Sequence, residues 1–131
     1  MLSQTAEYAL RTVLFLADQG EPLRAEEIAR RLNVPRNYLS KTLHRLAQEG
    51  ILHSARGKGG GFRLAVPADR LKLLAVVAPF DGILAERHCL LGRSQCSDRN
   101  PCPAHHEWRT VSERVTAFFR DCTVGDLLRG A

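Results

Sequence analysis

Between residues 24 and 65 the hydrophobic period changes from helical to extended, and few architectures accept the resulting order of elements. Ala25, Ile28, Ala29 and Leu32 recur at helical spacing, and so do Leu39, Leu43 and Leu46. The two stripes predict one helix over 24–32 and a second over 35–49. Asn33-Val34 leaves room only for a tight turn between them. Pro35 suits a first helical position, where its missing N–H would have had no partner. Gly50 is placed to close the second helix in a left-handed conformation. Then Ile51-Leu52-His53-Ser54-Ala55 and Phe62-Arg63-Leu64-Ala65 read as short strands. Arg56-Gly57-Lys58-Gly59-Gly60-Gly61 joins them as a glycine-rich hairpin tip.

Two helices, a tight turn and a two-stranded hairpin make the layout of a winged helix-turn-helix. The flanking segments fit it. Ala6, Ala9, Leu10, Val13, Leu14 and Ala17 form the stripe of a helix over 5–18, ended by Gly20 and Pro22. An apolar helix is expected over 70–80, broken near Pro79. Residues 81–104 read as irregular, with Asp81-Gly82, Gly92 and Asn100-Pro101 as breakers. A long helix follows over 105–121, and 123–128 closes the chain with a short turn. The fold expected is mainly α with a small β-hairpin wing and a long C-terminal helix. Its parts are a DNA-binding winged helix-turn-helix (1–80), a cysteine loop (81–104), and a dimerisation helix with its tail (105–131).

Charge gives the wing and the preceding helix a chemical meaning. Arg36, Lys41, Arg45, Arg56, Lys58 and Arg63 face Glu49 alone, so 36–63 carries a charge equal to the formal net +5 of all 131 residues. Such a local field attracts a polyanion. In a helix-turn-helix the second helix enters the major groove. Its outward residues Arg36, Asn37, Tyr38, Ser40, Lys41 and His44 are the candidates for phosphate and base-edge contacts. Arg56, Lys58 and Gly59 offer a second contact at the wing, where glycines let the backbone approach DNA closely. Double-stranded DNA is therefore the expected partner. A nucleotide-binding P-loop is excluded, because Gly57-Lys58 is followed by Gly59 and a strand rather than by Ser or Thr and a helix. No nucleophile–base pair stands in a pocket-forming pattern, so an enzyme is not expected.

The last helix carries Trp108, Val111, Val115 and Phe118 at a three–four–three spacing, an a/d seam. Little of the chain remains to cover it, so the seam reads as the interface of a homodimer. No run of about 20 apolar residues exists to span a membrane. The N-terminus lacks a basic leader and a cleavage pattern, so a cytoplasmic location is expected.

Without export, the cysteines are expected as metal ligands or reactive thiols rather than disulfides. Six residues separate Cys89 from Cys96, five separate Cys96 from Cys102, and His105 lies two residues beyond. Zinc sites usually show two tight Cys-x-x-Cys knuckles. Wide spacing on a loop suits a larger iron–sulfur cluster better. The fourth ligand stays open between His105, His106 beside it, His88 beside Cys89, and Glu7 of the first helix. Cys122 lies apart, as a small hydrophobe at the end of the long helix. Two other readings compete: a cluster-free regulator responding through thiols or zinc, and a small iron–sulfur electron carrier.

The motifs resemble those of the IscR and NsrR type of bacterial transcription regulators, the Rrf2 family. The match runs through Thr5-Ala6-Glu7-Tyr8-Ala9-Leu10-Arg11, Val34-Pro35-Arg36-Asn37-Tyr38-Leu39 and the wing Arg56–Phe62. It continues through Cys102-Pro103-Ala104-His105, Trp108-Arg109, Ser112-Glu113-Arg114-Val115-Thr116 and Thr123–Leu128. The resemblance implies a homodimer that binds promoter DNA, as a repressor, and switches with a 2Fe-2S cluster or, alternatively, a 4Fe-4S cluster. The signal would be redox state, nitric oxide or iron–sulfur supply. It assigns the cluster to Cys89, Cys96 and Cys102. The fourth ligand falls on His105 in the IscR branch and on Glu7 in the NsrR branch. The first cysteine gap is one residue longer than in the IscR branch.

Overall fold

The computed structural model describes residues 2–82, 89–92 and 97–130. Helix α1 (Gln4–Asp18) is central, touching every other long element of the N-terminal half. Ser3 starts it, its Oγ accepting the Ala6 N–H at 3.1 Å, a cap of the kind that satisfies an otherwise orphaned donor. Ala6, Ala9, Val13 and Leu16 are its buried face. Thr12 is buried among them because its hydroxyl donates to the Tyr8 carbonyl at 2.7 Å.

Helices α2 (Ala25–Leu32) and α3 (Arg36–Gln48) follow. Asn33 takes the left-handed conformation, φ 54° and ψ 49°, and the Val34 N–H reaches back to Ala29 O at 3.0 Å. That closure turns the chain sharply enough to bring α3 across α2. Pro35 stands just outside α3 rather than at its first position, its carbonyl accepting from the Leu39 N–H. Leu39, Leu43 and Leu46 are fully buried, each contributing about 1.5–3 kcal/mol by area. Gly50, at φ 77°, ends α3 in the left-handed region. The Ile51 N–H then bonds Leu46 O and the Gly50 N–H bonds Ala47 O, and buried Ile51 packs back into the core.

Strands β1 (Leu52–Ala55) and β2 (Gly61–Leu64) form the antiparallel wing, with Leu52 opposite Leu64 and Ala55 opposite Gly61. Leu23, just before α2, adds a bridge to Phe62 through bonds of 3.1 and 2.8 Å. This close approach explains Gly61: at φ 129°, any Cβ there would sit 2.6 Å from the Leu23 carbonyl. The wing is thereby sewn to the helix-turn-helix.

The apolar helix expected over 70–80 is shorter. A 3₁₀ turn (Ala68–Arg70) precedes α4 (Leu73–Val77), because Lys72 is held extended by a bridge to Thr123 near the C-terminus. Helix α5 (His105–Asp121) has the expected limits. The expected closing turn is a full helix, α6 (Val124–Gly130), packed on α1 and on the 3₁₀ turn. Its start is a reciprocal cap: the Asp126 N–H donates to Thr123 Oγ1 at 3.0 Å and the Thr123 N–H to Asp126 Oδ2 at 2.9 Å.

Candidate nucleic-acid interface and cysteine site

Burial of Leu39, Thr42, Leu43 and Leu46 fixes which side of α3 looks outward. Arg36, Asn37, Tyr38, Lys41 and His44 are exposed on it, and Ser40 is half-buried. Tyr38 is 62% exposed, unusual for a large ring and suited to contact with another molecule. Arg36 is engaged within the chain, its guanidinium 2.6 Å from Glu26 of α2. The His44 ring meets Phe62 of the wing edge to face at 6.3 Å. Arg56, Lys58 and Gly59 are exposed at the wing tip, and Arg24 donates to Gly57 O at 2.7 Å. The cations of helix and wing thus belong to one braced unit. Glu26, Arg24 and Phe62 complete it, and periodicity alone does not mark them because their partners lie far along the chain.

At the other candidate site the chain brings Cys89 and Cys102 together, their sulfurs 3.5 Å apart. Cys102 is buried and its carbonyl accepts the His105 N–H at 3.0 Å, so the chain turns between Cys102 and the first residue of α5. The His105 side chain is 2% exposed. Its Nε2 lies 2.7 Å from Asp98 Oδ1. Arg109 Nη1 donates to the same oxygen at 2.9 Å, and Arg109 Nε donates to Glu113 at 3.0 Å. The hydrogen bond from His105, followed by the charge of Arg109, holds the Asp98 carboxyl below the usual carboxylate range. Asp98 and Arg109 are the parts of this site that spacing did not mark. Asp98 sits on an irregular segment, where no period identifies a partner.

Cys96 and His88 lie outside the described residues. His106 is exposed and stacks edge-on to His105 at 5.3 Å. Among the described residues no three His, Cys, Asp or Glu side chains gather into a metal-sized group. Glu7 is exposed in the first turn of α1. That turn is tied to the cysteine segment, because the Ser3 N–H donates to buried Asp81 at 2.8 Å. Cys122 caps α5 half-buried, its thiol 3.6 Å from Thr123 O. Along α5, Trp108 and Val115 are half-buried while Val111 and Phe118 are about half exposed. Among the described residues no helix is long and apolar enough to cross a membrane.

A turn-linked helix pair braced against a two-stranded basic wing defines the class: a winged-helix, DNA-binding regulator. The family model described as "Rrf2: Iron-dependent Transcriptional regulator" matches residues 2–130. An HTH-type transcriptional regulator of Aquifex aeolicus is 33% identical over 131 residues, spanning 98% of this chain and 91% of that protein. The regulator IscR of Vibrio atlanticus is 31% identical over 130 residues, spanning 98% of this chain and 75% of its own. The chain belongs to the Rrf2 family of transcriptional regulators. Two solved structures agree on the fold. CymR (YrzC), the global cysteine regulator of B. subtilis, superposes with a TM-score of 0.83 at 22% identity, covering 100% of this chain and 98% of that one. T. potens IscR does so with a TM-score of 0.77 at 19% identity, covering 99% and 87%.

Proposed function

We propose that this chain is a homodimeric, promoter-binding repressor whose DNA affinity is set by an iron–sulfur cluster held by Cys89, Cys96, Cys102 and His105. The observation that carries this reading is the 3.5 Å separation of the Cys89 and Cys102 sulfurs beside buried His105. Two thiolates on one tetrahedral metal, with bonds of about 2.3 Å, stand about 3.8 Å apart. The two thiols therefore stand close to the separation that a shared soft metal would give them, and thiolate with imidazole is a donor set that suits iron–sulfur chemistry. A bound cluster supplies a site that oxidants, nitric oxide or iron shortage alter. A 2Fe-2S cluster is the first expectation and 4Fe-4S the alternative, with Glu7 the alternative fourth ligand. The rest is the work of this chain's own residues.

Arg36, Lys41, Arg56 and Lys58 neutralise phosphates, while Asn37, Tyr38, Ser40 and His44 stand where base edges and sugars pass. Gly59 lets the wing backbone approach. The seam of Trp108, Val111, Val115 and Phe118 pairs two copies, so that two α3 helices meet successive major grooves about 34 Å apart. Coupling has a physical route. The cysteine segment is anchored at Asp81 to the start of α1, α1 packs on α3, and α4 packs on α5. Loosening the segment shifts the frame from which α3 and the wing project.

The same thiol pair favours a second reading, in which a peroxide oxidises Cys89 and Cys102 to a disulfide and is itself reduced to water and alcohol. The fold likeness to CymR, the global cysteine regulator of B. subtilis, accompanies it. Anaerobic purification and reconstitution, followed by absorption spectra and iron and sulfide counts, separate the two. Visible absorbance with matching iron and sulfide, lost in Cys102→Ala and weakened or shifted in His105→Ala, is the expected result. Colourless, iron-free protein overturns the cluster reading. Failure to shift any promoter duplex at low salt overturns the DNA-binding assignment of α3 and the wing.

A further inference from the structure

We propose that Arg24 is a positioning residue for DNA binding: its guanidinium holds the wing tip by the Gly57 carbonyl, so that Arg56 and Lys58 are fixed relative to α3 before DNA arrives. The inference rests on the assignment of those two wing cations to DNA and goes beyond it by naming the residue that presents them.

A hairpin of two four-residue strands is marginal without support. Here the core supports its base. Leu52, Gly61 and Phe62 are buried, and Leu23 is bridged to Phe62. The tip differs. Residues 53–59 are exposed throughout, and 56–60 has no apolar side chain to bury. Two bonds converge there on one acceptor. Gly57 O takes the Gly60 N–H at 3.0 Å, which closes the turn, and Arg24 Nη2 at 2.7 Å, which ties that turn to the residue before α2. A carbonyl oxygen has two lone pairs, and these two donors use both. The Arg24 contact spans 33 residues of sequence, and its acceptor Gly57 stands between Arg56 and Lys58. Segment 23–24 therefore grips the hairpin twice, at its base through the Leu23 backbone and at its tip through the Arg24 side chain. A wing ordered in advance loses less freedom on binding DNA, so more of the attraction of its two cations becomes affinity. A direct phosphate contact by Arg24 is the rival role, and it leaves a different signature.

The test uses the full-length chain and a mixed-sequence DNA duplex at low salt. In the DNA-free wild type, ¹⁵N relaxation should give the amides of 57–60 order parameters of about 0.85, as in rigid backbone. Arg24→Gln should lower them to about 0.6 or below, while the amides of α3 and the thermal midpoint stay as they are. Lys41→Gln, on the other arm, should leave the wing amides unchanged. Duplex binding should weaken about tenfold in Arg24→Gln, the order of the cost of fixing two long side chains at the moment of binding. The slope of log K against log salt should stay that of wild type, because the phosphates met in the complex are the same. Where Arg56 and Lys58 have both been changed to Gln, adding Arg24→Gln should cost less than about twofold, whereas adding Lys41→Gln should cost its full amount. Arg24→Lys keeps the charge with a different reach and should fall between in wing order; it carries the test if Arg24→Gln does not fold. Unchanged wing order parameters in both Arg24 variants overturn the proposal. So does an Arg24→Gln loss that adds in full to that of the wing double variant, with a slope smaller by about 1, which would make Arg24 a phosphate contact. If the wing double variant binds the duplex as wild type does, the wing reading fails and the proposal with it, even where relaxation shows the Arg24 hold intact.

Discussion

Around Leu43 the chain holds its functional face in place with packed aliphatic side chains, whereas around Cys102 it uses thiols, an imidazole and carboxylates. Leu39, Leu43, Leu46, Ile28 and Val13 are fully buried, and the cations of α3 ride on the reverse of that packing. At the start of α5 the buried side chains are Cys102 and His105, and Asp98 reaches in from an exposed segment. Further along α5, Phe118 is 49% exposed. Dispersion and burial complete the first region from within one chain. The second keeps donors and an apolar seam that a metal centre and a second copy would satisfy. Under the proposed function, a packed reader is joined to a region that a bound cluster and a second copy would stabilise.

Truncating the first region should have the largest consequence. Leu43→Ala removes the middle of the α3 stripe, and a cavity of that kind lowers unfolding free energy by about 2–5 kcal/mol. Urea denaturation of wild type and variant measures it. A loss below about 1 kcal/mol would mean that α3 is not held by this core and that the contrast between the regions fails.

Phe118→Glu comes next, aimed at the second region. A charge at a half-exposed position is tolerated by a monomer but not within the proposed pairing seam. Sedimentation should change from dimer to monomer, and operator affinity should fall about 100-fold with the loss of two-site binding. A variant that stays dimeric moves the interface elsewhere.

Lys41→Gln should act more weakly. It removes one exposed cation from the α3 face without touching the core. Affinity should fall roughly tenfold across sequences, and the slope of log K against log salt should shrink by about 1. Mobility shifts at several salt concentrations give both numbers. Unchanged slope would mean that Lys41 does not meet a phosphate.

The contrast also explains what was legible in the sequence. The N-terminal region is written locally: stripes at 6–17, 25–32 and 39–46 are bounded by Asn33, Gly50 and the wing glycines, so helices, turn and hairpin could be read to within a residue or two. Leu23 and Arg24 were not seen as part of the wing, since their partners Phe62 and Gly57 lie more than thirty residues away. The shortening of the helix over 70–80 has the same origin, because Lys72 is extended by Thr123 and nothing near Lys72 announces it. At the cysteine site the candidate donors Cys89, Cys102 and His105 were legible from residue type and spacing, but Asp98 was not. A carboxylate on an irregular segment becomes meaningful only once the fold sets it against α5. Thr123-x-x-Asp126 was a readable capping signal, and it marks α6 as a helix rather than a turn.

That cap yields the smallest expected effect and a sign that can be checked. Thr123→Ala removes the acceptor for the Asp126 N–H and should lower stability by about 1 kcal/mol. Asp126 is held below the usual carboxylate range first by the Thr123 backbone N–H, then by the Thr123 side chain, with Arg129 adding to it. Its folded value lies below its unfolded one, so its contribution is complete above the unfolded value of about 3.9 and is withdrawn as pH falls through the folded one. Wild type should therefore exceed Asp126→Asn in thermal midpoint at neutral pH, and the gap should close in acid. The remaining carboxylates titrate in both proteins, which is why the difference between the two curves, rather than either midpoint, isolates this cap. A gap that widened in acid would mean that the protonated carboxyl makes the better cap. The contact between α6 and α1 would then owe nothing to the charge, and the C-terminal helix would join the aliphatic region rather than the polar one.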